Sequence, residues 1–290
     1  MAHGTFARLL FVFLLKGVEP NPANDGEVLE QVLPATQFLA PLTSAKDDPV
    51  PGSSFTSGGR QARSCDYSQF AEDHTMTLQP NLACLVSRTG VTADEQVQIL
   101  TAHNNFRAKV ARGEEVLGDA GPQPSGANIR EVVWNDELAQ VAQAWASQCP
   151  TGHDTYNQRR ICSRSYFVGQ NIYFQWSTNP ASVWEKAVQA WYNEVQYMPN
   201  TNVAAFSSRV PSGKAIGHYT QVVWGTTYEI GCGAVYYTDT RWGYTFTQSK
   251  TYVCNYGPAG NFLGSPVYEA GVAASLCPGT PSLNYTGLCN

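Results

Sequence analysis

The sequence predicts an α/β domain in which a small antiparallel sheet is covered on both faces by helices and the whole is stapled by disulfides. Apolar residues recur at helical spacing in three separate segments. Two later runs, residues 229–237 and 244–255, alternate in the manner of an antiparallel hairpin. Eight cysteines, an even number with none in a C-x-x-C pair, read as four disulfides and not as a zinc cluster or redox motif. An oxidising compartment follows, and a soluble secreted protein is expected.

With 290 residues, 43% of them hydrophobic, the chain has enough apolar surface for one large domain or two small ones. Its formal net charge is −5 and no basic patch points to nucleic acid. Residues 9–15 (LLFVFLL) follow Arg8 and have the apolar character of a signal-peptide core. They place a weak signal peptide at residues 1–16, although Lys16 follows the run where an A-x-A cleavage site is wanted; a buried or mistranslated start is the alternative. No stretch approaches the roughly 20 apolar residues needed to span a bilayer. Residues 17–63 carry Pro, Gly, Ser, Asn and Asp without periodicity, so a disordered linker or pro-segment is expected there. Within it Arg60-Gln61-Ala62-Arg63 has the R-x-x-R form of a processing site, or is two chance arginines in a linker.

Residues 65–88 read as loop. Thr92-Ala93-Asp94-Glu95 is a capping box, and the helix behind it should reach about Arg112 with Ile99, Ala102, Phe106 and Val110 on its buried stripe. His103, Asn104 and Arg107 lie beside that stripe and are read as structural polar groups tying the helix to neighbouring backbone. Asn135 caps a second helix carrying Trp134, Leu138, Val141, Ala142 and Trp145 at helical spacing. Ser182-Val183-Trp184-Glu185 reads as a second capping box, opening a third helix with Trp184, Val188, Trp191 and Val195 inward. Glu194, three residues after Trp191, projects near the buried edge. Residues 199–217 read as a long polar loop. In residues 217–224, GHYTQVVW, His218 runs directly into a Val-Val-Trp strand, which holds its imidazole at the mouth of the sheet. The two hairpin strands follow, joined by a turn at residues 238–243, and Cys232 can face Cys254 across them. Asn284-Tyr285-Thr286 is a glycosylation sequon at Asn284.

GHYTQVVW at residues 217–224 and YVCNYGPAGNF at residues 252–262 closely resemble the paired signatures of the CAP superfamily: cysteine-rich secretory proteins, antigen 5 and plant pathogenesis-related protein 1. HNNFR at residues 103–107 resembles the family's first-helix pattern, and residues 133–154 look most like the arthropod antigen-5, or venom-allergen, branch. The resemblance implies an α-β-α sandwich at residues 64–264, followed by a short disulfide-closed tail at 265–290. It implies that Cys65 pairs with Cys162 and Cys84 with Cys149, while Cys277 and Cys289 would close a C-terminal loop. Long-range crosslinks of this kind are each worth about 3–4 kcal/mol by the loop-entropy account. Thr77 stands where the family carries a Cys, so one N-terminal disulfide should be missing. The tail also lacks the closely spaced cysteines of the ion-channel-blocking domain of cysteine-rich secretory proteins, which disfavours channel regulation.

Family members gather two histidines and two acidic residues in a central cleft, and the matching positions here are His153, Gln170, Glu194 and His218. Gln170 replaces the Glu of many members and removes a negative charge and a proton acceptor. If the two imidazoles converge, His153 and His218 could bind Zn²⁺ weakly, with Glu194 orienting His218 or holding a metal-bound water. The alternative is that four polar side chains satisfy one another where helices and sheet meet. The expected function is therefore a non-enzymatic binding or host-interaction module of the venom or salivary type, a monomer with a host protein as possible target. Two other readings stay open. The first is carriage of sterols, fatty acids or eicosanoids, suggested by the aromatics Tyr173, Phe174, Trp176, Trp184 and Trp191. The second is a secreted endopeptidase using the cleft histidines with Ser182 or Ser212, although no G-x-S-x-G elbow or H-E-x-x-H helix occurs.

Overall fold

A computed structural model of the chain describes residues 29–32, which form a short strand β1 (Leu29–Val32), and residues 65–290. The expected signal peptide, the rest of the linker or pro-segment and the Arg63 processing site lie outside the described residues.

Local chemistry sets the ends of the first two helices. Thr92 Oγ1 accepts the Glu95 amide at 3.2 Å while the Glu95 carboxylate accepts the Thr92 amide at 2.8 Å, and helix α1 (Ala93–Ala111) begins there. Asn135 Oδ1 accepts both the Glu137 and Leu138 amides at 3.0 Å and starts α2 (Asp136–Ala146). Trp134, expected on that helix, belongs instead to β3 (Val133–Trp134), which pairs in parallel with the sheet just before the cap. The third helix, α3 (Trp184–Tyr192), forms as expected but without its capping box: Val183 is the N-cap and no side chain caps it. Its register comes from burial of Trp184, Val188 and Trp191, all fully inaccessible.

The sheet is built on two long strands, β5 (Glu229–Arg241) and β6 (Tyr244–Gly257). With β2 (Leu85–Thr89) and β4 (Gly169–Trp176) the order is β1-β4-β6-β5-β2, and β3 adds to β5. The hairpin turn is tighter than the sequence suggests, because Trp242 (φ 50°) and Gly243 (φ 80°) alone reverse the chain. Positive φ at both central residues matches the twist of the flanking strands. β2 lies in the stretch read as loop, and β1 pairs with the edge of β4 from a stretch read as disordered.

One face of the sheet carries α2, whose Ala142 and Ala146 cluster with Ile172, Phe174, Val235 and Val253, and whose Leu138 and Val141 cluster with Ile161 and Val168. A Cβ at Gly231 or Gly233 would sit within 2.3 Å of α2 backbone, so these glycines let the helix approach the sheet closely. The other face carries the main core, with α1, α3 and a fourth helix, α4 (Gly217–Val223), over Tyr173, Ala234, Tyr252 and Tyr256. This is the expected α-β-α sandwich. α4 replaces the expected Val-Val-Trp strand, because its amides are capped by a distant carboxylate described below and all seven of its residues are buried.

All four expected disulfides form, with Cα separations of 6.0 Å for Cys65–Cys162, 6.2 Å for Cys84–Cys149, 4.1 Å for Cys232–Cys254 and 5.2 Å for Cys277–Cys289. No cysteine is left free. The loop read at residues 199–217 is anchored at points: a short 3₁₀ turn, Asn200–Val203, is followed by buried Phe206, Val210 and Ile216, while residues 211–215 are exposed. The tail is docked too. Cys289 exchanges backbone hydrogen bonds with Ile129 and Glu131 at 2.8 and 2.7 Å. Asn284 is exposed beside Glu131.

Candidate functional site

The four expected cleft residues come together as two hydrogen-bonded pairs. After α2 the chain turns through His153, and from β4 Gln170 reaches the same point, with His153 Nδ1 and Gln170 Oε1 2.8 Å apart. Gln170 Nε2 donates to Asp154 Oδ1 and to Asn255 Oδ1, both at 3.0 Å. That fixes the amide so that its oxygen faces the imidazole, and His153 Nδ1 therefore carries the proton. The arrangement explains the glutamine: a carboxylate at position 170 would set an acceptor against the Asp154 carboxylate. Asp154 is buried and already receives Thr75 Oγ1 at 2.6 Å and Arg159 Nη1 at 2.6 Å.

The second pair belongs to α4. Glu194, in the 3₁₀ turn Asn193–Tyr197 that ends α3, directs Oε2 at the amides of His218 (2.8 Å) and Tyr219 (3.2 Å) and Oε1 at His218 Nδ1 (2.7 Å). One carboxylate thus caps a helix and orients its imidazole. With Nδ1–H donated to Glu194, the lone pair of a neutral His218 resides on Nε2. That nitrogen is buried and has no hydrogen-bond partner among the described residues.

Successive residues at the Gly169 end of β4 touch the two pairs, Gln170 the first and Asn171 the second. Asn171 Nδ2 donates to the His218 carbonyl at 3.2 Å, one residue along from Gln170. A Cβ on Gly169 would lie 2.0 Å from Gln221 Oε1, one turn along α4. Among the described residues, the His, Cys, Asp or Glu ligand atoms that gather in threes within 4.8 Å are those of Cys65, Glu137 and Cys162, whose sulfurs are joined in a disulfide. The four residues therefore offer imidazoles, an amide and a carboxylate as two pairs and, among the described residues, no three-ligand cage.

Beside the cleft, the structural reading of the first helix holds. His103 Nδ1 donates to the Ile99 carbonyl at 2.8 Å and Nε2 accepts from Tyr256 Oη at 2.9 Å. Burial pushes its pKa down to about 4. Asn104 bonds both ways with Val132 at 3.0 and 2.8 Å. Asp154, Arg159 and Asn255 are members of the site network that sequence reasoning missed, and the adjacency of Asp154 to His153 was its one visible signal.

Comparison with known proteins identifies the family and the fold. The pattern of the CAP cysteine-rich secretory protein family matches residues 100–256. The chain belongs to that family. Among relatives of this CAP protein, venom allergen 5.02 of Dolichovespula maculata is 42% identical over 196 residues, 67% of this chain and 85% of the relative. Venom allergen 5 of Polistes dominula is 44% identical over 197 residues, 66% of this chain and 81% of the relative. Among solved CAP structures, that of NaASP2 with Zn²⁺ has a TM-score of 0.55 at 29% identity and covers 69% of this chain and 97% of its own. BmVAL-1 has a TM-score of 0.56 at 28% identity, covering 69% of this chain and 95% of its own.

Proposed function

We propose that this antigen-5-type CAP protein is a secreted, non-enzymatic binding or host-interaction module whose His153/Gln170 and Glu194/His218 cleft takes up a divalent cation. The supporting observation is His218. Its Nδ1 is held by a carboxylate at 2.7 Å and its buried Nε2 is left with a lone pair and no partner among the described residues. Carboxylate–histidine pairs of this kind orient metal-ligating imidazoles. NaASP2, whose crystal structure was determined with Zn²⁺, adds support at 29% identity. His153 and His218 supply the nitrogens, with water completing the shell, and so few firm ligands make a weak site. Four disulfides fit an oxidising, extracellular setting.

The other readings have less support. Of the five aromatics behind the lipid-carrier reading, Tyr173, Trp184 and Trp191 are fully buried core, while Phe174 and Trp176 line a cavity on the α2 face of the sheet. Of the two serines considered for proteolysis, Ser212 accepts the Lys214 amide at 3.3 Å and Ser182 lies beside Glu95 and Tyr252. Among the described residues no hydrogen bond joins either serine to a histidine, the contact that nucleophile activation needs.

Calorimetric titration with Zn²⁺ at neutral pH tests the cation. The expected result is micromolar or weaker binding that disappears in a His153→Ala/His218→Ala double variant. Heats unchanged by the double substitution would reject the site.

A further inference from the structure

The sheet outruns the helix on its α2 face. α2 has 11 residues and spans about 16 Å, whereas β5 has 13 and spans about 43 Å. The helix follows β5 past Gly231 and Gly233, and Gln143 Nε2 reaches the Ala234 carbonyl at 2.9 Å, but α2 ends at Ala146. Among the described residues, no helix covers the far part of β5, from Tyr237 to Arg241. A cavity of about 410 Å³ occupies that overhang. Its floor is aromatic (Phe174, Trp176 and Tyr237), and Asp239 and Arg241 close one side. Trp176, at one end of the cavity, lies six residues or about 20 Å along β4 from Gln170, while at the other end the lining reaches Thr151, two residues before His153.

Charge narrows what fits there. Asp239 Oδ2 accepts from Trp176 Nε1 at 3.0 Å and from Arg241 Nε at 2.9 Å, and the Arg241 guanidinium stands 5.8 Å from the Trp176 ring centroid. A lone cation entering the cavity meets the guanidinium, and a lone anion meets the carboxylate. A zwitterion satisfies both: a quaternary ammonium against the aromatic faces and Asp239, and a phosphate against Arg241.

The rim narrows it further. Leu82, between the lining residues Asn81 and Ala83, is 93% exposed; Trp242, edge-on to Trp176 at 5.6 Å, is 63% exposed; Val86, opposite Tyr237 in the ladder, is 43% exposed. Large apolar side chains around one opening mark an interaction surface. Exposed Trp and Leu side chains are of the kind that settle at a lipid–water boundary. A formal net charge of −5 disfavours an anionic surface.

From this we infer that the overhang cavity is a docking site for a zwitterionic lipid surface, with a phosphocholine headgroup in the cavity and Leu82 and Trp242 inserted beside it. The test is co-sedimentation of the purified chain with phosphatidylcholine vesicles, repeated with phosphatidylglycerol vesicles and with free phosphocholine as competitor. The expected result is pelleting with phosphatidylcholine that phosphocholine reduces, and at least tenfold weaker pelleting with phosphatidylglycerol. Leu82→Asp/Trp242→Asn, which alters only exposed side chains, and Asp239→Asn/Arg241→Gln should each weaken the phosphatidylcholine interaction at least tenfold while near-ultraviolet circular dichroism is retained. Absence of pelleting with phosphatidylcholine, equal pelleting with both lipids, or wild-type pelleting by both folded variants would overturn the proposal.

Discussion

Arg107 is fully buried in the main core and, among the described residues, forms no ion pair with a carboxylate. Its Nε, Nη1 and Nη2 donate to the carbonyls of Arg130, Val222 and Thr227 at 2.7, 2.8 and 2.8 Å, so one side chain satisfies two loop carbonyls and one in the last turn of α4. His103, one turn earlier, does the same work with a group that titrates. Its folded pKa lies near 4, below the ordinary 6.5, so the unfolded chain binds the extra proton between those values. The stability it contributes is full above about pH 6.5, falls as pH drops through that window and is gone below about 4, amounting to about 3 kcal/mol for a group this buried. Urea denaturation of wild type and His103→Gln between pH 7 and 4 should show a shallower acid decline in the variant. Parallel declines would mean that the imidazole is not the proton acceptor. The glutamine at position 170 and the structural role of HNNFR are both legible from residue type, but the Asp154 contact that makes Gln170 fit is not, because it joins residues 16 positions apart.

At the scale of elements, α4 is the instructive case. GHYTQVVW has β-branched and aromatic residues that favour a strand, and no local N-cap. The cap comes from Glu194, 24 residues upstream, whose carboxylate takes two backbone amides and the His218 imidazole together. Asn261 and Thr220 fasten the same turn, with Asn261 Nδ2 on the Gly217 carbonyl at 2.8 Å and Thr220 Oγ1 on Asn261 Oδ1 at 2.6 Å. Replacing Glu194 by Ala strands buried donors and should cost about 3 kcal/mol or more. Glu194→Gln, whose amide oxygen still accepts, should lose less. Equal midpoints for all three proteins in chemical denaturation would refute the capping role. By contrast, Thr92 and Asn135 were readable as caps because donor and acceptor lie within three residues of each other. Ser182 had the same pattern and failed as a cap, since α3 is placed by its tryptophans.

At the scale of the whole molecule, crosslinks and packing extend the domain to the last residues. Leu288 and Cys289 are fully buried, and Ser282 Oγ donates to Glu131 at 2.5 Å, so the tail completes the core beside α1. Opening the 12-residue Cys277–Cys289 link with a double Ser substitution should cost about 3 kcal/mol by loop entropy alone. Thermal unfolding would reveal this as a lowered midpoint, and an unchanged midpoint would show that packing alone holds the tail.

Helical and strand periods, two of the three expected caps, the pairing of Cys232 with Cys254 and the family signatures follow from neighbours along the chain, where residue type dictates geometry directly. Pairing of the other six cysteines and membership of the cleft came through resemblance to a family. What only tertiary structure decided is the helix at residues 217–223, the two-pair form of the cleft and the aromatic overhang beyond α2. Each depends on groups far apart in sequence, or on the unequal lengths of a helix and the strand beneath it, and no local pattern encodes such distances.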